Sequence, residues 1–126
     1  MDNYQEHGLT RRVIGLAIEV HRELGPGLLE NAYEECLCFE LQHAGISHSR
    51  QLKLPVFYKG HSLDCSYRID IVVENSLIVE VKSIDRIAPV HEAQSLTYLR
   101  LSGIRLGLLL NFNNAVLKDV ICRRRI

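Results

Sequence analysis

The chain of 126 residues has no tryptophan, one methionine and no net charge, because 15 basic side chains balance 15 acidic ones. A protein that holds nucleic acid through bulk charge has an excess of Lys and Arg. Any phosphate contact must therefore come from a local patch or a bound cation. No apolar run approaches the ~20 residues that span a bilayer, and residues 1–12 lack the apolar segment of a signal peptide. These absences favour a cytoplasmic protein with no membrane partner.

Cysteine is also sparse, and its spacing is not that of a metal or redox site. The four cysteines are Cys36, Cys38, Cys65 and Cys122, with no Cys-x-x-Cys pair among them. Cys36 and Cys38 are two apart on a predicted helix, so they point to different sides. We expect four reduced, mostly buried thiols. With 47% hydrophobic residues, residues 1–126 are expected to form one domain with a substantial core.

Apolar periodicity and breaker residues predict the order α-α-β-β-β-α-β-β. The predicted helices are 11–24 with Thr10 as N-cap, 28–44 and 89–102; the predicted strands are 49–58, 61–73, 77–82, 105–112 and 116–122. Three antiparallel strands, a crossover helix and a further strand make an α/β fold. We expect a mixed central sheet flanked by helices.

Three charged residues, Asp70, Glu80 and Lys82, interrupt the apolar pattern of the two strands in the predicted hairpin at 68–82. Side chains alternate along a strand, so Ile69, Ile71 and Val73 are predicted to share one face. A three-residue turn at 74–76 sets the register of the two strands. The predicted pairs are Val73 with Leu77, Ile71 with Val79, and Asp70 with Glu80.

Stability does not explain a pairing of Asp70 with Glu80, because two carboxylates directly opposite repel each other. A divalent cation between them would turn this repulsion into a favourable interaction, and carboxylate oxygens are ligands that suit Mg²⁺ or Mn²⁺. Lys82 lies on the same face, where an ammonium can position a water and balance the charge of a phosphate. The alternative is an edge hairpin whose charged face is solvated.

Polar residues on two predicted helices also point inward. The helical period puts Glu30 on the stripe of Leu37 and Leu41, and an inward carboxylate needs a partner or a metal. The alternative is that Glu30 is simply favoured in the first turn of its helix. Gln94 and Tyr98 lie one turn apart and are predicted to face inward together. The alternative there is a core tyrosine beside a satisfied amide.

These residues together resemble the PD-(D/E)XK nuclease superfamily. Asp70, nine intervening residues and Glu80-Val81-Lys82 are similar to its signature, with Ile69 where the name has Pro. Residues 27–33 resemble the Gly-x-x-Glu-x-x-Tyr motif of a small bacterial family, and residues 94–98 resemble the Gln-x-x-x-Tyr motif of the RecB-like branch. The resemblance covers roughly residues 13–124. It implies a restriction-endonuclease-like αβββαβ core.

The resemblance also implies a function, namely Mg²⁺- or Mn²⁺-dependent hydrolysis of phosphodiester bonds, with DNA as the expected substrate. The implied metal ligands are Asp70, Glu80, the carbonyl of Val81, and Glu30. The implied catalytic residues are Asp70, Glu80, Lys82, Glu30, Gln94 and Tyr98. In this scheme Lys82 orients the attacking water, and the Gln94–Tyr98 pair contacts the substrate backbone or Lys82.

Two rival functions and one open question remain at this stage. The neutral charge favours a non-catalytic nuclease-fold module that binds nucleic acid or assembles with partners, and another metal hydrolase is a third candidate. The apolar run 106–110 needs cover on both faces, and the predicted strand 116–122 could pair with a copy of itself. A homodimer would follow. The alternative is a monomer whose edge is protected by Lys118 and Asp119.

Overall fold

The computed structural model describes residues 2–63 and 67–124, with only the backbone described for residues 2–7. Its helices are α1 (Asp2–Leu24), α2 (Glu30–His43) and α3 (Pro89–Ser102). Its strands are β1 (His48–Leu54), β2 (Phe57–Tyr58), β3 (His61–Ser62), β4 (Tyr67–Val73), β5 (Leu77–Lys82), β6 (Leu106–Asn111) and β7 (Lys118–Arg123). Within these residues, none of the helices combines the length and apolarity needed to cross a membrane.

Five strands form a mixed sheet in the order β1-β4-β5-β6-β7, and β2 pairs with β3 in a separate two-stranded hairpin. β1, β4 and β5 are antiparallel neighbours, β6 lies parallel to β5, and β7 returns antiparallel. The parallel step between β5 and β6 requires a crossover connection, and α3 provides it. The predicted α/β class, mixed sheet and crossover helix are confirmed.

The helices cover the two faces of the sheet. The cluster on the α1–α2 face includes Val13, Ala17, Leu37, Leu41, Ile71, Val79, Leu108 and Leu110. The cluster on the α3 face includes Ile69, Ile78, Tyr98, Leu99 and Leu109. β5 and β6 are buried on both faces, which explains why they read as apolar runs. The run 106–110 is therefore covered by helices of its own chain and needs no partner subunit.

The predicted bounds of the first helix and of the first two strands were wrong. Thr10 is no N-cap, because α1 begins at Asp2 and Thr10 is buried within it. The predicted strand 49–58 divides at Pro55, because proline has no amide hydrogen for a sheet ladder. The chain leaves the sheet after Leu54 and enters the β2–β3 hairpin. The predicted strand 61–73 is correspondingly split into β3 and β4, and its residues 64–66 lie outside the described residues.

A buried phenol closes the turn between α1 and α2. Gly25 and Gly27 have φ of 68° and 101°, values that favour glycine. Tyr33 Oη donates to the carbonyl of Gly25 at 2.6 Å and accepts from the amide of Leu28 at 3.0 Å. The Tyr33 ring stacks on Phe112 with 4.5 Å between centroids. The first turn of α2 is thereby fixed against the end of the sheet.

Candidate active site

The β4–β5 hairpin has the predicted register as far as the Ile71–Val79 pair. Beyond that pair the backbone ladder between β4 and β5 ends, and two carboxylates accept the hydrogen bonds of the strand amides. The amide of Val81 donates to Asp70 Oδ2 at 2.8 Å, and the amide of Asp70 donates to Glu80 Oε1 at 3.3 Å. Asp70 and Glu80 are therefore neighbours at the end of the hairpin, as the turn length predicts.

The backbone around Asp70 departs from regular strand geometry. Gln51 lies opposite Asp70 in the β1–β4 register but has φ of 55°, and this pair is missing from the ladder. Ile69 packs on the α3 face, whereas Ile71 and Val73 pack on the α1–α2 face. The prediction that these three share a face was wrong at Ile69, because a local irregularity shifts the alternation. Asp70 lies at the residue where the alternation breaks.

The two carboxylates are held in an unfavourable environment for charge. Glu80 is only 5% exposed. Burial, followed by the charge of Asp70, raises the pKa of Glu80 from 4.5 to about 8. Burial also raises the pKa of Asp70 from 3.8 to about 6, and the amide of Val81 offsets part of that shift. The charge of Lys82 lowers the pKa of both groups. Without a further cation, the pair therefore favours bound protons.

The oxygen atoms of Asp70, Glu80 and Val81 suit a small hard cation as ligands. Within residues 2–63 and 67–124, no hydrogen bond reaches Oδ1 of Asp70 or Oε2 of Glu80. The amide and carbonyl of one strand residue point to the same side, so the Val81 carbonyl faces the Asp70 side. The described residues bring together no group of three His, Cys, Asp or Glu side chains suited to a metal. Two carboxylates with waters still suffice for Mg²⁺, which keeps several waters when protein-bound.

Glu30 lies near this pair but does not face the core as predicted. It is exposed at the first residue of α2, where Oε2 accepts from the amide of Ser83 at 3.1 Å. Leu37 and Leu41, on the same stripe, are fully buried. The predicted orientation was wrong because α2 begins at the end of the sheet, so its first residue extends past the strands that cover Leu37 and Leu41. Its charge nevertheless contributes to raising the pKa of Asp70.

The buried acid of α2 is instead Glu34, one helical turn after Glu30. Its Oε2 accepts from Arg50 Nε at 2.7 Å, and its Oε1 accepts from Gln51 Nε2 at 2.8 Å. Its charge raises the pKa of both Asp70 and Glu80. The available signal was its position one helical turn before Leu37, with a basic residue on the following strand.

The prediction that Gln94 and Tyr98 both face inward holds only for Tyr98. Tyr98 is buried, whereas Gln94 is exposed, and Gln94 Nε2 donates to Tyr98 Oη at 3.1 Å. Burial raises the pKa of Tyr98, followed by the charges of Glu80 and Asp70, so its hydroxyl lies near the acids. The prediction that both side chains face inward was therefore wrong for Gln94.

Two contacts that the sequence did not suggest fix the segment after Lys82, which is itself half-buried. Ser83 Oγ donates to the carbonyl of Leu28 at 2.7 Å. The Asn111 side chain accepts from the amide of Ile84 at 3.1 Å and donates to its carbonyl at 2.9 Å. An asparagine ending an apolar strand was the only sequence signal. These bonds hold the backbone next to Lys82 against both the α1–α2 turn and β6.

Comparison with known proteins gives one family and one fold. A family model described as the PD-(D/E)XK nuclease superfamily matches residues 7–124. The crystal structure of SSO0001 is similar, with a TM-score of 0.60 and 16% sequence identity over 77% of this chain. The match covers 51% of that structure, so this chain spans about half its length, and the likeness shows the fold alone. The search of the curated proteins found no match.

Proposed function

The chain belongs to the PD-(D/E)XK nuclease superfamily, and from that membership we propose that it is a metal-dependent nuclease acting on DNA. The observation that carries this proposal is that Asp70, which is half-buried, lies next to Glu80, which is buried. Among the residues that the structure describes, neither acid forms an ion pair within 4.0 Å. A fold gains no stability from such a pair, whereas a divalent cation would make it favourable.

The proposed ligands of Mg²⁺ or Mn²⁺ are Asp70, Glu80 and the carbonyl of Val81, with Glu30 ligating directly or through a water. Such an ion supplies Lewis acidity that activates water and offsets charge on the scissile phosphate. The chain supplies a fixed position for these oxygens, because backbone amides hold one oxygen of each acid. Glu30 is similarly held by the amide of Ser83.

Lys82 and the Gln94–Tyr98 pair are proposed to act on water and substrate. The ammonium of Lys82 would orient the attacking water and offset the charge of the phosphate, which is an electrostatic contribution to the transition state. Tyr98 accepts from Gln94, so its hydroxyl keeps its own proton to donate to a phosphate oxygen or to position a water. Gln94 would keep that hydroxyl in place.

The finer classification rests on the Gly-x-x-Glu-x-x-Tyr motif at residues 27–33 and is part of the proposal. Each fixed position of the motif has a physical role in this fold. Gly27 adopts a positive φ, Glu30 binds the amide after Lys82, and Tyr33 closes the turn. The Gln-x-x-x-Tyr motif of the RecB-like branch corresponds to the bonded Gln94–Tyr98 pair.

The rival candidate is a non-catalytic nuclease-fold module. It is favoured by the neutral charge and by the lack of a three-residue metal cluster among the described residues. Titration with Mn²⁺ separates the two, because the nuclease should bind one or two ions and melt at a higher temperature by mass action. Asp70→Asn and Glu80→Gln should abolish this binding. A wild-type protein that binds no Mn²⁺ at millimolar concentration would exclude the proposed mechanism.

Cleavage assays then test the nuclease itself. Single-stranded, duplex and branched DNA are incubated with Mg²⁺ or Mn²⁺, and a chelator should stop any cleavage. Lys82→Ala should lose activity while it keeps Mn²⁺ affinity, because Lys82 acts on water and phosphate. Lys118→Ala, on the far edge strand β7, is the matched control and should keep activity. Equal activity in Lys82→Ala and the wild type would point to a contaminating nuclease.

A homodimer remains a proposal. β7 is an edge strand of the sheet, as the sequence predicts, and could pair with a copy of itself. Two Asp70–Glu80 pairs would then act on one substrate. Light scattering at micromolar concentration decides this, since a mass near the 14.4 kDa of one chain excludes a stable dimer.

A further inference from the structure

A locally basic segment lies next to the candidate active site of this neutral protein. Residues 51–63 include Lys53 and Lys59 and no Asp or Glu, whereas the preceding Arg50 is paired with Glu34. They form the end of β1 and the β2–β3 hairpin, which leaves the sheet after Leu54. Local charge of this kind attracts phosphates even where the net charge of the protein does not.

Two cations in this region lie side by side on the neighbouring strands β1 and β4. Lys53 pairs directly with Arg68 in the β1–β4 register, and both side chains are exposed. Among the described residues, no carboxylate lies within 4.0 Å of either cation. Like charges directly opposite are destabilising, and a phosphate between them would make the pair favourable. Arg68 is two residues from Asp70, or about 7 Å along the strand.

The hairpin itself presents two aromatic rings to solvent. Phe57 is 63% exposed and Tyr58 is 60% exposed. The ammonium of Lys59 lies 5.4 Å from the centroid of the Tyr58 ring, so a cation accompanies the aromatic surface. Aromatic faces bind nucleic acid by stacking on bases, and every base offers such a face when it is unpaired. In an intact duplex the bases already stack on each other.

The hairpin is connected to the acids by a second pair of aromatic side chains. Its base lies at the Leu54–Tyr67 pair, where β1 and β4 meet. The Tyr67 ring lies 6.1 Å from the ring of Tyr98, which receives the hydrogen bond of Gln94. Tyr67 is three residues from Asp70 on β4, so the base of the hairpin lies close to the candidate site.

We propose that Phe57, Tyr58, Lys53 and Arg68 form a binding surface for an unpaired strand of nucleic acid. The preferred substrate would then be a single-stranded or frayed segment rather than an intact duplex. This inference names the substrate class of the proposed nuclease and rests on that function. Binding itself is measured without catalysis, so the two proposals fail separately.

The test is fluorescence anisotropy with a labelled oligothymidine and a blunt duplex of equal length, in EDTA. Wild-type protein should bind the single strand more tightly. Phe57→Ala with Tyr58→Ala should weaken that binding roughly ten-fold or more, because each stacked base contributes substantially. Phe39→Ala is the matched control, since Phe39 is 56% exposed on α2, and it should change nothing.

The two cations have their own readout. Lys53→Ala and Arg68→Ala should each lower the slope of log affinity against log salt by about 0.7, the value for one phosphate contact on a single strand. Lys118→Ala should leave the slope unchanged. Phe57→Leu with Tyr58→Leu keeps apolar bulk without the rings and should lose affinity like the alanine variant, which distinguishes stacking from misfolding.

Three results would overturn the inference: equal affinity in the hairpin variants and wild type, preference for the duplex, or a two-chain mass that these substitutions abolish. The last would assign the surface to a second copy of the chain. Hairpin-dependent binding of the single strand without cleavage of any substrate would reject the nuclease and leave the surface standing. Metal-dependent cleavage, together with variants that bind the single strand as tightly as the wild type, would support the nuclease and reject the binding surface.

Discussion

Replacing Glu80 with glutamine should stabilise the metal-free protein at pH 8.5 and have a much smaller effect at pH 5. Glu80 is buried beside Asp70, and its pKa is raised from 4.5 to about 8. Below pH 4.5 the carboxyl is protonated in both the folded and the unfolded chain. Between 4.5 and 8 the folded chain keeps a proton that the unfolded chain releases, so stability falls as pH rises. Glutamine has the shape of protonated Glu80 and does not titrate.

The size of the effect follows from the pKa. One pKa step corresponds to about 1.4 kcal/mol, so the full penalty for charging Glu80 in the fold is about 5 kcal/mol. Structural relaxation reduces that figure, and we expect a gain of about 2–4 kcal/mol for Glu80→Gln at pH 8.5 relative to its effect at pH 5. Asp70→Asn should give part of this gain, because it removes the charge that repels Glu80.

Denaturant unfolding in EDTA at pH 5, 6.5 and 8.5 measures the free energy directly. Glu23→Gln, an exposed acid on α1, is the matched control and should run parallel to the wild type. Addition of Mn²⁺ at pH 8.5 should stabilise the wild type and not Glu80→Gln, because bound metal requires the charged ligand. Parallel curves for Glu80→Gln and wild type across the pH range would refute the reasoning.

Three further substitutions test the packing around the site by denaturant unfolding. Arg50→Ala should cost about 2–3 kcal/mol, because the buried carboxylate of Glu34 loses its ion pair, and adding Glu34→Gln should recover part of this. Gly107→Ala should cost about 1–3 kcal/mol, because a Cβ there would lie 3.0 Å from Ser95 Oγ, and Ser95→Ala should relieve the clash. Asn111→Ala should cost about 1–3 kcal/mol, since both backbone groups of Ile84 lose their partner.

Features set by neighbouring residues could be predicted from the sequence. The bounds of α3 follow from Pro89 at its first turn and from Gly103, whose left-handed conformation ends it. The β4–β5 register follows from a three-residue turn between alternating apolar residues. The adjacency of Asp70 and Glu80 depends only on these local rules.

Features that depend on tertiary contacts could not be predicted. Helical phase alone does not distinguish Glu30 from Glu34, because the end of the sheet decides which carboxylate is covered. The Glu34–Arg50 ion pair joins a helix to a strand and has no signature within either element. The change of face at Ile69 depends on a backbone irregularity, and Gln51 gives no sign of its positive φ in the sequence.

The closed turn between α1 and α2 also limits how the chain can vary in length. Tyr33 holds Gly25 and Leu28 from the inside, and Ser83 holds Leu28 from the side of β5. An insertion in this turn would move the carbonyl that Ser83 binds and so displace the adjacent Lys82. Among the residues that the structure describes, no hydrogen bond connects the β2–β3 turn to Lys82, so this turn can be lengthened without moving it. Insertions should thus be excluded from the first turn and accepted in the second.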